Sequence, residues 1–539
     1  MRGILASELA EAVNCAPPRE PAPLRRDGAS NRGFFRHHCI EPPLNPIAVI
    51  RRFRFTRIAP FAAGCALAAT ALAQTLPDLG DASRAVISPA QERKLGDAAM
   101  REVHASGAYL DDPEVNAYLN SLGQRLVGVS AAARQEFEFF AVNDPGINAF
   151  ALPGGYVGIN SGLILLCQNE SELASVLAHE ITHVTQHHIA RLIAGEQRNQ
   201  LATLAALALA VLAARSHPDL ASGAIMAAQG AAIQYQLDFT RENEREADRI
   251  GFQVLDRAGF DTHAMPSMFE RLQRSSRAYD SSSTPSYLRT HPITFERIAD
   301  AMSRADARPY KQVPDSRDFH FVRALLKSYQ GTSRDAIIDF ESSLSERKYN
   351  DETATRYGLV AALLRDKQLT RAAKELQALE KSAKPHPMIE AMAGQVLSQS
   401  GQRAVALKRY QSALQRYPNH MQLVYDYPEA LIETGQHASA VDFIESQLLR
   451  FPNDMRLHRL AAKSYAELGR KSLQHIHQGE YYVRLGNLRD AIVQFELAVK
   501  SGDGNFYQIS TAESRLRTLR QDLADQTKEL GKVASNQRR

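Results

Sequence analysis

The sequence predicts a mostly helical α+β region with a small β-sheet, followed by an all-α superhelix of repeated helical hairpins. Three observations support this prediction. Apolar residues recur at helical spacing over residues 169–189. Residues 154–162 have the pattern of a glycine turn followed by a short strand. Further along the chain, Gly401, Gly435 and Gly469 are 34 residues apart, which is the period of tetratricopeptide repeats.

Residues 1–73 are predicted to be a leader that ends in a signal peptide. Arginines between residues 51 and 57 precede an apolar stretch from Ile58 to Ala73, which ends in a small-residue cleavage site before Gln74. This stretch is shorter than the roughly 20 residues that a transmembrane helix needs. We therefore expect export to the periplasm, with a lipid-modified Cys65 as the alternative. Residues 1–48 lie upstream of a complete signal, and we expect them to be dispensable or untranslated.

The composition gives no indication of a nucleic-acid partner. The chain has 64 basic and 60 acidic residues, but residues 1–73 contain ten arginines and only five acidic residues, so the remainder is nearly neutral. After residue 73 the sequence has Cys167 as its single cysteine. No internal disulfide is therefore expected in the processed chain, and packing must stabilise it.

The segment His179-Glu180-Ile181-Thr182-His183 carries the most chemical information in the sequence. Histidines four residues apart share one face of a helix, and two neutral imidazoles can bind zinc at roughly 2.0–2.1 Å. Glu180 is then placed to take a proton from a water molecule. Asn169 and Glu172 have the form of a capping box. The motif is therefore expected inside a buried helix that begins near residue 169.

A catalytic zinc site needs a third protein ligand, and Glu244 is the candidate. Glu244 and Asp248 are four apart on a later predicted helix, so their side chains project together. Asp248 is then suited to accept a hydrogen bond from a zinc-binding histidine and to fix its tautomer. His187 and His188 follow the motif at the wrong offset for a third ligand, and we assign them to the polar face of the helix.

The pattern His179-Glu180-x-x-His183 followed by Glu244-x-x-Ala247-Asp248 resembles the gluzincin family, which includes the CAAX prenyl proteases and the bacterial membrane protease HtpX. Residues 148–155 and the element Thr290-His291-Pro292 resemble further motifs of that family. The resemblance covers roughly residues 88–305. It implies a zinc metalloendopeptidase that binds one zinc ion per chain.

The resemblance also implies that His291 lies near the metal. Two roles are open for His291: stabilising the oxyanion of the reaction, or occupying the open zinc position in a closed state. Arg297 is its companion candidate, because a fixed positive charge suits an oxyanion or a buried carboxylate. A structural salt bridge is the alternative for Arg297.

The segment around residues 148–157 is the predicted substrate-binding element. Its candidate residues are Asn148, Gly154, Gly155, Tyr156 and Val157. An edge strand here would hold an extended peptide by main-chain hydrogen bonds. An ordinary hairpin strand packed on the active-site helix is the alternative.

Two apolar runs, Leu201–Ala214 and Ala221–Ile233, separate the two ligand helices. Both are too short to span a bilayer. They are expected to form a buried helical pair, or else a lid over the site that also makes peripheral membrane contact.

The predicted domain order is a metallopeptidase domain over residues 74–305, a linker over 306–318, repeats over 319–509, and a charged helix with a tail over 510–539. Alanines fall five residues after each predicted turn of the repeats, at positions 336, 372, 406, 440 and 491. Stacked repeats create a concave binding surface. We expect the repeats to have a core of their own.

An exported gluzincin followed by tetratricopeptide repeats resembles the periplasmic proteases that assist β-barrel assembly. That resemblance implies misfolded or stalled outer-membrane proteins as substrates, and the outer-membrane assembly machinery as a partner of the repeats. The alternatives are a chaperone or scaffold whose zinc site is normally closed, and a membrane-associated protease like the CAAX enzymes. An intact Glu180 favours the protease.

Overall fold

The computed structural model describes residues 88–131, 133, 135–192, 240–278 and 286–536. The predicted leader and both apolar runs between the ligand helices lie outside the described residues. Among the residues that are described, no helix is both long and apolar enough to cross a membrane.

Helices and one small sheet form the region that contains the predicted site. The helices are Pro89–Ala105, Pro113–Val127, Ser161–Leu166, Glu170–Thr185, Ala264–Ala278, Ser286–Thr290 and Phe295–Asp306, with helical segments over 188–192 and 240–257. The first two begin with proline after the polar caps Ser88 and Asp112. A cap accepts hydrogen bonds from free backbone N–H groups, and proline lacks the N–H that would otherwise stay unpaired.

The sheet has three strands: β1 (Glu138–Val142), β2 (Ala149–Leu152) and β3 (Tyr156–Asn160). Their spatial order is β1-β3-β2, with β3 parallel to β1 and antiparallel to β2. The predicted edge strand is therefore the central strand. The edge-strand prediction is wrong, because strand order depends on pairing between strands that are not neighbours along the chain, and the alternative of a hairpin strand is the one observed.

The two edges of the sheet differ. Asn116 and Asn120 cover the outer edge of β1, where their side-chain amides bond to the backbone of Phe139 and Ala141. At β2, by contrast, no backbone hydrogen bond from the described part of the chain reaches the outward groups of Ala149 and Ala151. The free edge of the sheet is therefore β2.

The active-site helix, Glu170–Thr185, is almost entirely buried. Its cap Asn169 accepts a hydrogen bond from the backbone N–H of Glu172 at 2.9 Å. The Glu172 carboxylate accepts from the backbone N–H of Gln168 at 2.7 Å and from two nitrogens of Arg271. The N-terminus of this helix is thus fixed by Asn169, which precedes the helix, and by Arg271, which comes from a later helix.

The rest of the chain is a succession of helical hairpins. Their helices are Arg317–Tyr329, Ser333–Ser345, Glu352–Arg365, Leu369–Ser382, Pro387–Gln399, Arg403–Arg416, Met421–Glu433, His437–Leu448, Met455–Glu467, Lys471–Arg484, Leu488–Lys500 and Phe506–Asn536. The predicted turn residues Gly331, Lys367, Gly401, Gly435 and Gly486 all have φ between 59° and 81°. Glycine adopts this left-handed conformation at little cost, which explains its recurrence. The predicted all-α repeat region is confirmed.

One cluster of buried apolar side chains extends from the site region through the first two hairpins into the third. Phe319 and Phe321, on the first repeat helix, are fully buried in it. Arg323 of the same helix donates to the carbonyl oxygen of Leu165 at 3.1 Å. The first repeat hairpins therefore share the core of the site region, whereas the later repeats have separate buried clusters of their own, as expected. Amphipathic spacing predicts which face of a helix is buried but not what covers it.

Candidate metal centre and active site

The active-site helix presents two histidines toward one point. His179 and His183 lie one turn apart, and their Nε2 atoms are 3.0 Å apart. His179 is almost completely buried, and the side chain of His183 is 11% exposed. The helical spacing of the motif produces this geometry, because residues four apart lie above one another on a helix.

Glu244 comes from the helical segment 240–257 and faces both histidines. Its carboxylate oxygens lie 3.4 Å from the Nε2 atoms of His179 and His183. A small residue permits this close approach of the two helices, since a Cβ atom at Gly251 would lie only 3.1 Å from the carbonyl oxygen of Ala178. The three predicted ligands therefore converge.

Asp248 and Arg297 contact the predicted ligands and each other. Asp248 Oδ1 lies 3.0 Å from Nδ1 of His179. Arg297 donates from Nε and Nη2 to the two oxygens of Asp248 at 2.7 and 2.8 Å. Its Nη1 lies 2.8 Å from Glu244 and donates to the carbonyl oxygen of Pro292. All three guanidinium nitrogens thus have partners, which favours the buried-carboxylate role over direct contact with an oxyanion.

His291 enters the cluster from the short segment after helix Ser286–Thr290. Its Nδ1 lies 2.9 Å from Glu244 Oε1 and 3.4 Å from His179 Nε2, and its Nε2 lies 3.6 Å from Glu180 Oε1. The ring of Tyr287 packs against it, with centroids 4.8 Å apart. The four residues whose ligand atoms lie within 4.8 Å of one another are His179, His183, Glu244 and His291.

Glu180 differs from the other carboxylates of the site. It is fully buried, and neither of its carboxylate oxygens has a hydrogen-bond partner among the described residues. Burying a carboxylate without partners is costly. Both carboxylate oxygens of Glu180 therefore keep the capacity to accept a proton.

His188 is a site residue that the sequence analysis missed, since His187 and His188 were assigned to the polar face. His188 is buried, and its Nδ1 lies 2.8 Å from Nδ1 of His183. Its Nε2 lies 3.2 Å from Glu246, which also accepts a hydrogen bond from Arg191 at 2.6 Å. The helix breaks at residue 187, where φ is 53°. Two adjacent histidines after the motif were the only available signal.

The buried charges shift the pKa values of the site. Burial alone would lower the pKa of His179, but Asp248 and Glu244 outweigh it and raise that pKa to about 10. Burial lowers the pKa of His183 to about 4, so its ring is neutral at pH 7. Burial would raise the pKa of Glu244, yet His291 and His179 bring it well below its usual range. The carboxylates therefore stabilise positive charge at the cluster.

The residues fit a divalent metal ion. The Nε2 atoms of His179 and His183 face each other, while Nδ1 of His179 lies 3.0 Å from Asp248 and Nδ1 of His183 lies 2.8 Å from His188. Two imidazole nitrogens and one carboxylate are the donor set of catalytic zinc sites. The two buried carboxylates that raise the pKa of His179, those of Asp248 and Glu244, would also stabilise a metal cation beside this ring.

Of the predicted substrate residues, Gly154 lines a small cavity together with His183, and the others have roles in the fold. Gly154 and Gly155 have positive φ, and a Cβ atom at Gly155 would lie 2.1 Å from the carbonyl oxygen of Glu136. Tyr156 donates its hydroxyl to Asp97. Val157 lies on the central strand, between β1 and β2. The carbonyl oxygen of Asn148, at the start of the hairpin, accepts a hydrogen bond from the backbone N–H of Asn160.

Comparison with known proteins identifies two regions of the chain. Residues 113–305 match peptidase family M48, and residues 397–464 match the tetratricopeptide repeat. The predicted order of a metallopeptidase region followed by tetratricopeptide repeats is confirmed, since the first match is to a peptidase family and the second to the repeat.

Several curated proteins are similar to this chain. A Vibrio cholerae protein is 41% identical over 309 residues, which are 57% of this chain and 63% of that protein. The β-barrel assembly-enhancing protease of Escherichia coli K12 is 37% identical over 308 residues, with the same coverage. The mitochondrial metalloendopeptidase OMA1 of Schizosaccharomyces pombe is 32% identical over 182 residues, 34% of this chain and 50% of that protein. The chain thus spans less than two thirds of the length of these relatives.

Proposed function

We propose that this chain, in which a peptidase family M48 region precedes tetratricopeptide repeats, is an exported zinc-dependent endopeptidase. The Glu180 carboxylate carries this proposal, because it is buried beside three convergent ligands and has no hydrogen-bond partner in the part of the chain that the structure describes. A purely structural zinc site has no need of a proton acceptor. The matching metallopeptidase region supports the same activity.

Each residue of the site has a part in peptide hydrolysis. His179, His183 and Glu244 would hold zinc, which supplies a Lewis acid when bound. Glu180 accepts a proton from the attacking water and delivers it to the leaving amine. Asp248 keeps a proton on Nδ1 of His179, so that its Nε2 lone pair faces the cluster.

The free edge of β2 is the proposed peptide-binding strand, in place of Tyr156 and Val157. The N–H of Asn160 donates to the carbonyl oxygen of Asn148, so Ala149 and Ala151 direct their backbone groups away from β3 in the alternating antiparallel pattern. An extended peptide can add to such an edge by main-chain hydrogen bonds.

This edge passes the site. The carbonyl oxygen of Ile147, at the start of the edge, accepts a hydrogen bond from the backbone N–H of Tyr287, whose ring packs on His291. At the other end of β2, Leu152 lines a small cavity together with His183. A peptide bound along β2 would therefore cross the proposed zinc position.

His291 supports a second candidate function, that of a chaperone or scaffold whose site is normally closed. Its Nδ1 lies within hydrogen-bond distance of Glu244, at 2.9 Å, and close to the ligand atoms of His179 and His183. In that position His291 would occupy the place of the water that Glu180 activates. We propose that His291 restrains an active protease.

The proposed substrates are misfolded or stalled outer-membrane proteins in the periplasm. The name of the Escherichia coli relative, β-barrel assembly-enhancing protease, supports this proposal. Stacked repeats offer a surface on which such a client or the outer-membrane assembly machinery can bind.

Metal analysis of the purified chain, combined with digestion of an unfolded outer-membrane β-barrel and of casein, tests the proposal. We expect one zinc ion per chain, cleavage of both substrates, and loss of cleavage when a chelator removes the metal. A zinc-loaded chain that digests neither substrate, even after replacement of His291, would leave the closed scaffold as the better function.

A further inference from the structure

We infer that His188 and Glu246 are positioning residues for His183, joined to it in a hydrogen-bond relay that fixes which ring nitrogen faces the zinc position. This inference rests on the proposed zinc site and adds two residues to it. The relay runs from His183 Nδ1 to His188 Nδ1 at 2.8 Å, and from His188 Nε2 to Glu246 Oε2 at 3.2 Å. Arg191 holds the far end at 2.6 Å.

The backbone is bent in order to make this contact. In a continuous helix, residue 188 would lie about 140° around the axis from His183 and could not reach it. The structure instead ends the active-site helix at Thr185 and gives His187 a φ of 53°. A left-handed conformation is unfavourable for a residue other than glycine. Strain at His187 is therefore coupled to the placement of His188.

The chemistry of the rings gives the relay one direction. If Nε2 of His183 faces the cluster with its lone pair, the ring proton of neutral His183 must be on Nδ1. That proton can only be donated to Nδ1 of His188, whose own proton is then on Nε2 and points to Glu246. Each donor meets one acceptor, so the tautomers of both rings are fixed together.

The two histidine ligands are thus supported in different ways. Nδ1 of His179 faces the carboxylate of Asp248 directly, whereas Nδ1 of His183 faces a neutral ring that separates it from the carboxylate of Glu246. A direct carboxylate makes a histidine a stronger donor to a metal than a neutral acceptor does. The relay therefore orients His183 without placing a third carboxylate against the cluster.

Zinc affinity of the full chain, measured by competition with a chelator, tests this inference. We compare His188→Leu with His188→Asn, because the two side chains have similar size but only asparagine offers an acceptor near the position of Nδ1. We expect His188→Leu to raise the zinc dissociation constant about 10–100-fold. His188→Asn should lie closer to wild type than to the leucine variant. His263→Gln, a partly exposed histidine outside the cluster, should leave the constant unchanged.

Thermal unfolding of the metal-free proteins separates positioning from general stability, and we expect similar midpoints for the two His188 variants. Equal zinc affinity of wild type and His188→Leu overturns the inference, as does an asparagine variant as weak as the leucine variant. If His188→Leu does not fold, Glu246→Gln decides: an increase of about tenfold in the dissociation constant supports the relay, and no increase overturns it. A wild-type chain that binds no zinc overturns the proposed function as well.

Discussion

Glu170 and Ser316 bind each other where the metallopeptidase region meets the repeats. The Glu170 carboxylate accepts hydrogen bonds from the backbone N–H of Ser316 at 3.0 Å and from its hydroxyl at 2.6 Å. The backbone N–H of Glu170 donates in turn to Asp315 at 2.7 Å. Glu170 starts the active-site helix and Ser316 caps the first repeat helix. Each positive helix terminus therefore has a carboxylate beside it.

Deletion of residues 319–539 should unfold the metallopeptidase region. The deletion removes Phe319 and Phe321 from the shared core, and loss of one buried phenylalanine costs about 3–5 kcal/mol against a total stability of about 5–15 kcal/mol. We expect an aggregated protein without zinc, measured by size-exclusion chromatography and metal analysis. A chain ending at residue 484 keeps this core and is the control. A monomeric, zinc-loaded product of the larger deletion would contradict the prediction.

Glu180→Gln should abolish proteolysis and retain zinc. The ligands are unchanged, while the proton acceptor is lost, and general-base catalysis contributes typically about 10²–10⁴-fold. The measurement is the rate of casein cleavage at known zinc content. His179→Ala is the matched comparison, since it should lower zinc occupancy itself. Substantial cleavage by zinc-loaded Glu180→Gln would exclude Glu180 as the base.

His291→Ala should increase proteolysis. Removal of the ring that lies 3.4 Å from His179 Nε2 and 2.9 Å from Glu244 frees the space next to Glu180 for water. Cleavage rates are compared at equal zinc content. If His291 instead stabilises an oxyanion, the rate should fall by up to about 10²–10³-fold. A rate within about twofold of wild type would exclude both roles.

Ala151→Pro tests the proposed peptide-binding edge. Proline is tolerated on an edge strand where the lost N–H faces outward, and Ala151 directs its N–H away from β3. We therefore expect normal stability and zinc content but weaker binding of unfolded substrates, seen as a higher KM. Phe150→Pro is the contrasting variant, because it breaks pairing with β3 and should destabilise the fold. An unchanged KM in Ala151→Pro would assign peptide binding to another element.

Asp426 makes the stability of the repeats depend on pH. Burial raises its pKa from 3.8 to about 7, although Gln395 and Gln422 donate hydrogen bonds to it. Since the folded state favours the protonated acid, stability declines as pH rises from about 4 to 7. Asp426→Asn should therefore raise the unfolding free energy at pH 8 by roughly 2–4 kcal/mol and leave it unchanged near pH 4. Chemical denaturation at both pH values measures this, and an equal effect at both would contradict it.

Local patterns in the sequence predicted the ligand helices well. His179 and His183 owe their geometry to helical spacing alone, and so do Glu244 and Asp248 on the second helix. The cap at Asn169 also follows from residue type. The repeat turns follow from the 34-residue period. These features depend on residues close together along the chain.

Features that depend on distant contacts or unusual backbone were not predictable from spacing. His188 reaches His183 only because the backbone at His187 has a positive φ. Strands β1 and β3 pair across the β2 hairpin, which removed Tyr156 from the predicted edge. Phe319 has the pattern of a repeat helix, and nothing in that pattern reveals the partner it packs against.

The shared core has a consequence for the order in which the protein is made. A ribosome completes residues 88–305 before it synthesises Phe319 and Phe321, which belong to the same buried cluster as the apolar side chains of the active-site helix. We therefore expect the amino-terminal region to complete its folding only after the first hairpins have been synthesised. On the proposed function, a nascent chain would gain proteolytic activity only once the first hairpins are present.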